Sequence, residues 1–280
     1  MARRPSPLSF AGASVVITGA SAGIGLACAR AFAARGARLV LVARGQDGLD
    51  KAAASLASAT TITTLSADVG DPAAHVRIVD AALGAFGAID VLVNNAGFHP
   101  RGPFVTHGPE AFGQMVDVNL RAPIMLARRV LDPMLAAGRG AIVNVASLAG
   151  RLPLSHAAVY SATKFGLRAF SHALADELEG TGVTVSAVSP GPVDTGFIMD
   201  DLDHVPDIVL SQPMSTAEEV ADLVVACAAD GEPERAAPRV SGALTTLAYL
   251  APRLRRALRP LMELQGRRNK QRYRARAAKR

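Results

Sequence analysis

Six times along the chain a short apolar run gives way to a longer helical stretch, and that rhythm restricts the fold more than any other feature. Residues 13–18, Ala-Ser-Val-Val-Ile-Thr, are apolar and largely β-branched, as a strand buried on both faces requires. The runs 38–42, 60–66, 89–93, 141–146 and 183–188 read the same way. Between them, residues 24–35, 47–58, 71–86, 109–137 and 156–180 predict helices, and 217–229 predicts one more after the last run; Pro72 suits a first helical turn. Strands alternating with helices of this length predict an α/β domain with a doubly wound parallel sheet. A short strand at Arg239-Val240-Ser241 is expected to close it.

The totals exclude several other classes. Half of the 280 residues are hydrophobic and 19% are charged, which argues against extensive disorder. No uninterrupted apolar run approaches the length of a spanning helix. Residues 1–11 form a short arm with charge but no apolar signal segment, so a cytoplasmic protein is expected. Cys28 and Cys227 both lie in apolar helical surroundings and read as reduced core thiols. The six His are scattered without ligand spacing, and no metal site is expected.

Two local patterns carry chemistry. Gly19-Ala20-Ser21-Ala22-Gly23-Ile24-Gly25 joins the first strand to its helix, where backbone amides at a helix N-terminus can receive a pyrophosphate. Gly19 would make the turn, Gly23 would let the phosphates approach, and Gly25 would let helix pack on sheet; an ordinary strand–helix turn is the competing reading. The second pattern is Tyr160-Ser161-Ala162-Thr163-Lys164. Side chains four apart share a helix face, and a buried ammonium beside a phenol lowers a pKa that starts near 10. With three Tyr and four Lys in 280 residues, about 0.04 such pairs arise by chance. Such a phenol can exchange a proton with a carbonyl or an alcohol.

Together with Asn94-Asn95-Ala96-Gly97, Ser147 and Pro190-Gly191-Pro192-Val193-Asp194-Thr195, these stretches resemble the short-chain dehydrogenase/reductase family over residues 12–245. The resemblance implies a Rossmann-type sheet of about seven strands, a nicotinamide dinucleotide and a homodimer or homotetramer. It also implies a catalytic set of Asn119, Ser147, Tyr160 and Lys164. In that role Tyr160 transfers the proton, Lys164 lowers the Tyr pKa and binds ribose hydroxyls, Ser147 holds the substrate oxygen, and Asn119 holds a water that relays protons from Lys164. Without the family, Ser147 reads as a turn hydrogen bond and Asn119 as a mid-helix side chain bonding locally. The resemblance further places Ser21, Ala22 and Ile24 in the phosphate loop and Asp68 and Val69 beside the adenine. Asn95, Ala96 and Gly97 fall on the ribose side, and Pro190, Gly191, Val193 and Thr195 on the nicotinamide and phosphates. Asn94 is expected to brace strands.

At the end of the second strand stand Ala43 and Arg44, where an acid would favour NAD. Arg44 can pair with a 2′-phosphate, so NADP(H) is the expected cofactor, with NAD(H) as the alternative; the competing reading of Arg44 is a solvated surface charge. Residues 196–213 lack a period and mix apolar side chains with Asp200, Asp201, Asp203 and Asp207, as a substrate lid does. Leu148, Leu152, Leu154, Phe98 and Phe104 are expected to face the same cleft, with His156 nearby, giving a site for a neutral, hydrophobic carbonyl or alcohol. A nonenzymatic NADP(H)-sensing or scaffold protein and a membrane-surface dehydrogenase of lipid- or steroid-type substrates are the alternative functions.

The charge of the chain is uneven. Residues 251–280 hold twelve Arg or Lys against Glu263 alone, so residues 1–250 are net acidic within an overall charge of +6. Residues 246–280 read as a basic amphipathic extension with leucines at 247, 250, 254, 258, 261 and 264. Pro252 and Pro260 are expected to divide it into two short helices, and residues 266–280 to form a solvated arm. Residues 253–280 would serve peripheral membrane contact, oligomer contact or solubility; specific nucleic-acid binding is not expected.

Overall fold

The computed structural model describes residues 7–277. Seven parallel strands form one sheet: β1 (Ser14–Thr18), β2 (Arg38–Ala43), β3 (Ile62–Ser66), β4 (Val91–Asn94), β5 (Gly140–Val145), β6 (Val183–Pro190) and β7 (Glu234–Ala237), in the order β3-β2-β1-β4-β5-β6-β7. Alternation along each buried strand feeds two cores. Val15 and Ile17 of β1 meet Phe32 of α1 (Gly23–Ala33), Leu49 of α2 (Gln46–Ala54) and Val224 of α8 (Ala217–Asp230). Val16 lies in the opposite core with Ile78 of α3 (Pro72–Phe86) and Leu126 of α5 (Ala122–Ala137), and Phe170 and Leu174 of α6 (Ala158–Glu177) pack against it. Truncating a fully buried aromatic such as Phe32 to Ala would cost about 3–5 kcal/mol.

The expected strands appear close to their expected bounds, and the last differs. Arg239-Val240-Ser241 opens helix α9 (Arg239–Leu250), whereas β7 is the preceding Glu-Arg-Ala-Ala. Those residues lack strand propensity, but Ala187 to Pro190 of β6 offer them a free edge, and pairing overrides propensity. The stretch 109–137 runs as α4 (Pro109–Val116) and α5 joined by a π-helical turn, Asp117–Arg121. The arm is not separate from the domain at its inner end: Phe10 is buried edge-on against Phe32 at 5.1 Å, and the Leu8 amide donates to Ala229 O at 2.9 Å. Residues 1–6 and 278–280, and the side chains of Leu254 and Ala277, lie outside what is described.

The larger correction concerns the tail. Pro252–Ala277 forms one helix, α10, with Pro260 inside it, in place of two short pieces and a solvated arm. Its distal half is anchored on residues 196–213, which fold as short helical turns, among them α7 (Gly196–Met199) and the turn Asp207–Ser211. Gly266 is buried against Asp207, where a Cβ would stand 1.8 Å from the carbonyl oxygen. Asn269 Nδ2 donates to Leu210 O at 2.9 Å, and Lys270 Nζ donates to Asp203 O and Val205 O at 2.8 and 2.9 Å. Tyr273 packs on the small core of Ile198, Leu202, Val205 and Leu210. Only a glycine lets the helix backbone come this close, and two of the four acidic residues that made 196–213 aperiodic pair with α10: Asp207 with Arg267 at 3.0 Å, and Asp203 with Arg274.

Candidate active site

The strand order reverses between β1 and β4, and a crevice opens there beyond the carboxyl ends of the strands. Thr18 and Asn95 stitch its floor. The Thr18 hydroxyl accepts the amides of Asn95 and Ala96, both at 3.0 Å, and Asn95 Nδ2 donates to the carbonyls of Thr18 and Gly19 at 2.9 and 3.2 Å. Gly19 takes φ +66° in this crowded turn, and a Cβ on Gly25 would stand 2.1 Å from Gly19 O. Gly25 thus lets α1 close on its own preceding turn. Helix α1 has no side-chain cap and no acid in its first turn, so its first amides remain donors for an anion. Asn94 braces strands as expected, donating to Asn144 Oδ1 at 2.9 Å.

A cavity of about 670 Å³ runs from this loop to α10, within the range of small-molecule sites. Its wall includes Gly19, Ala22, Gly23, Ile24, Asn95, Ala96, Gly97, Ser147, Leu152, Leu154, Tyr160, Lys164, Pro190, Gly191, Val193 and Thr195. Ser21 and Gly25 belong to the same loop but do not line it, nor do Arg44, Asp68 and Val69. Arg44 is exposed just past β2, and Asp68 Oδ1 accepts the Gly70 amide at 2.8 Å. Asn119 also stands behind the wall. It is fully buried in the π-helical turn, and its amide pairs with both backbone groups of Phe98 at 2.9 Å. A Cβ on Gly97 would lie 3.1 Å from Asn119 Oδ1 and 3.7 Å from Lys164 Nζ, so both side chains close on that glycine. The expected local bond of Asn119 is therefore a tie between the helix and the loop after β4.

Lys164 is buried and donates to Val145 O at 2.9 Å, with its ammonium 5.8 Å from the Tyr160 ring centre. Burial lowers its pKa to about 8. The phenol does not behave as expected: burial raises the Tyr160 pKa, against a downward pull from the Ser147 hydrogen bond and the Arg101 charge. The ammonium is spent on a carbonyl, and a protonated Tyr160 is suited to giving a proton. Ser147 Oγ also accepts the Ala149 amide at 3.1 Å and donates to Pro190 O at 3.4 Å, so its turn role and its place beside Tyr160 coexist.

Several wall residues had no sequence signal. The His99 ring stacks on Tyr160 at 4.4 Å, and burial followed by the Arg101 charge lowers its pKa to about 4, leaving it neutral. Leu148 lines the cavity as expected, whereas Phe98 packs into the core and Phe104 stacks outside on Phe112 at 4.6 Å. Phe104 is 59% exposed. His156 is exposed with φ +60°, and His99 takes the place expected for it. Leu247, Arg255, Leu258 and Met262 bring α9 and α10 into the wall.

Behind the Ser147 turn, the buried Glu234 of β7 gathers Arg151 and Arg168 at 2.9 and 2.8 Å, the Ser189 hydroxyl at 2.8 Å and His172 at 3.1 Å. These contacts fasten β7 to the chain on both sides of Tyr160. Among the described residues no group of three or more His, Cys, Asp or Glu gathers as a metal site would, and Cys28 and Cys227 are buried free thiols.

A sheet of this order with these side chains at its switch point defines a dinucleotide-dependent oxidoreductase fold. The short chain dehydrogenase model matches residues 13–205, and the chain belongs to that family of oxidoreductases. It is 36% identical over 219 residues to the ketoacyl reductase HetN of Nostoc sp., covering 77% of this chain and 76% of that one. It is 34% identical over 229 residues to a cis-4-hydroxycyclohexanecarboxylate dehydrogenase of Sinomonas cyclohexanicum, covering 79% and 91%. Among solved structures, the L-sorbose reductase of Gluconobacter frateurii, complexed with NADPH and L-sorbose, superposes with a TM-score of 0.75 at 29% identity, over 82% of this chain and 97% of that one.

Proposed function

We propose that the protein is an NADP(H)-dependent carbonyl reductase or alcohol dehydrogenase for a neutral, hydrophobic substrate. The observation that carries this reading is the meeting of Ser147, Tyr160 and Lys164 with the Gly19–Gly25 loop in one largely apolar cavity. The uncapped start of α1 and the glycines at 19 and 23 fit a pyrophosphate, Lys164 fits ribose hydroxyls, and Arg44 at the end of β2 fits a 2′-phosphate. Bound there, the nicotinamide would supply or accept hydride.

The residues supply the rest. Ser147 holds the substrate oxygen against Tyr160, whose raised pKa keeps the phenol protonated as a general acid for reduction. Lys164 and Asn119, both close to Gly97, form the inner end of a path by which the phenolate regains a proton. Leu148, Leu152 and Leu154 exclude water from the carbonyl. The tetrad weighs against a sensor or scaffold role, since binding alone needs no proton donor. Residues 196–213 act as the lid, and the protein assembles as a homodimer or homotetramer.

A panel of ketones and alcohols with each cofactor, in wild type and Arg44→Ala, tests this reading. A kcat/KM favouring NADPH at least tenfold, and falling in Arg44→Ala by about 10–100-fold as a charge-assisted contact is lost, is expected. Preference for NADH in both proteins would overturn the cofactor assignment, and no turnover of any carbonyl or alcohol would overturn the activity.

A further inference from the structure

The face formed by α9 and α10 combines three properties that no inward contact explains. It is apolar: Leu244, Leu247, Leu250, Leu258, Leu261 and Leu264 are 44–73% exposed. It is cationic: Arg253, Arg256, Arg268 and Arg272 stand exposed on α10, whose sole acid, Glu263, is paired with Arg259 at 2.7 Å. And it surrounds an opening, because Leu244, Leu247 and Leu258 are exposed to solvent and also line the cavity. Exposed leucines therefore border the cavity mouth, on the same two helices whose outer side carries the other leucines and the arginines.

We infer that this face docks on the surface of an anionic phospholipid bilayer, so that a lipophilic substrate enters the cavity from the membrane. Charge selects the occupant. A two-fold contact between copies would set the arginines of α10 against their own equivalents. A polyanion such as nucleic acid would take the arginines and leave the leucines in water. An anionic bilayer accepts both, the guanidinium groups at the phosphates and the leucines among the acyl chains. No helix among the described residues is long and apolar enough to cross the bilayer, so the contact lies along its surface. The helix is rigidly held for this task, since its opposite side is fixed to residues 203–210 through Gly266, Asn269 and Lys270. The entry route rests on the proposed carbonyl chemistry; the docking itself does not, and it is scored without turnover.

The test is sedimentation of the full-length protein with vesicles of phosphatidylcholine alone and of phosphatidylcholine with phosphatidylserine, at low and high salt. Pelleting only with the anionic vesicles, weakening as salt rises, is expected. Leu261→Asp/Leu264→Asp should weaken it by about tenfold or more, and Arg253→Glu/Arg256→Glu/Arg268→Glu by about fivefold per arginine. Sedimentation velocity and turnover of a water-soluble ketone should be unchanged in both variants. Wild-type protein left in the supernatant with anionic vesicles at low salt would overturn the inference, as would pelleting that survives both sets of changes. A shift of the leucine variant to a smaller species would overturn it too, by assigning the face to contact between copies.

Discussion

Arg101, from the loop after β4, and Asp201, just past α7, form an ion pair at 3.1 Å although their positions are a hundred residues apart. Only 7% of the Arg101 side chain is exposed. Its second nitrogen donates to Phe197 O at 2.7 Å, and its guanidinium lies 5.1 Å from the Phe197 ring centre. One side chain thereby ties the segment over the cavity to the loop that places His99 on Tyr160.

Arg101→Met should loosen that tie while keeping much of the side-chain volume. Amide exchange within residues 196–213 should speed by about tenfold, the worth of a charge-assisted hydrogen bond. KM for the carbonyl should rise more than kcat falls. Exchange rates equal to wild type would show that α10 alone holds the segment.

Glu234 makes stability depend on acid. Burial by itself would raise its pKa, but hydrogen bonds from Arg168 and Ser189 and the charges of Arg151 and Arg168 hold it down at about 2. A carboxyl lowered by folding stabilises the protein above the unfolded pKa, near 4.5, and loses that contribution as pH falls towards 2. Glu234→Gln should therefore cost about 3 kcal/mol at neutral pH and progressively less below pH 4.5. Urea melts of both proteins across that range check it; a difference independent of pH would refute the ionic role.

Lys164 should govern the alkaline limb of catalysis. With its pKa lowered to about 8, the ammonium loses its proton above that pH, whereas Tyr160 stays protonated. The kcat/KM for ketone reduction, which reports free enzyme, should be flat up to about pH 8 and then decline. Lys164→Arg, which keeps its charge, should act more slowly but without that decline. A decline at the same pH in both proteins would assign it to another group.

What the sequence shows and what it hides divide along contact distance. The strand–helix alternation, the Gly19–Gly25 turn and the Tyr160–Lys164 spacing are local, so periodicity and offset suffice to read them. Arg101 and Glu234 were silent because their partners lie 45 to 100 residues away, and nothing in Gly-Glu-Pro-Glu-Arg marks a buried hub. The same holds for β7, where an available edge outweighs a helix-forming composition. In α10, the prolines read locally as breakers and Gly266 as the start of a solvated arm, yet Gly266 is what admits the carbonyl of Asp207. The Lys164 contact is hidden for a different reason: sharing a helix turn does not fix the ammonium on the phenol when Val145 O lies within 2.9 Å of it.

Single-turnover reduction of a ketone by Tyr160→Phe with NADPH, followed through nicotinamide absorbance and paired with a direct measurement of nucleotide binding, bears most closely on the proposed chemistry. Binding should stay within about fivefold of wild type, since losing a single neutral hydrogen bond costs about 1 kcal/mol, while hydride transfer should slow by about a thousandfold with the proton donor gone. Transfer at close to the wild-type rate would contradict the acid role of Tyr160.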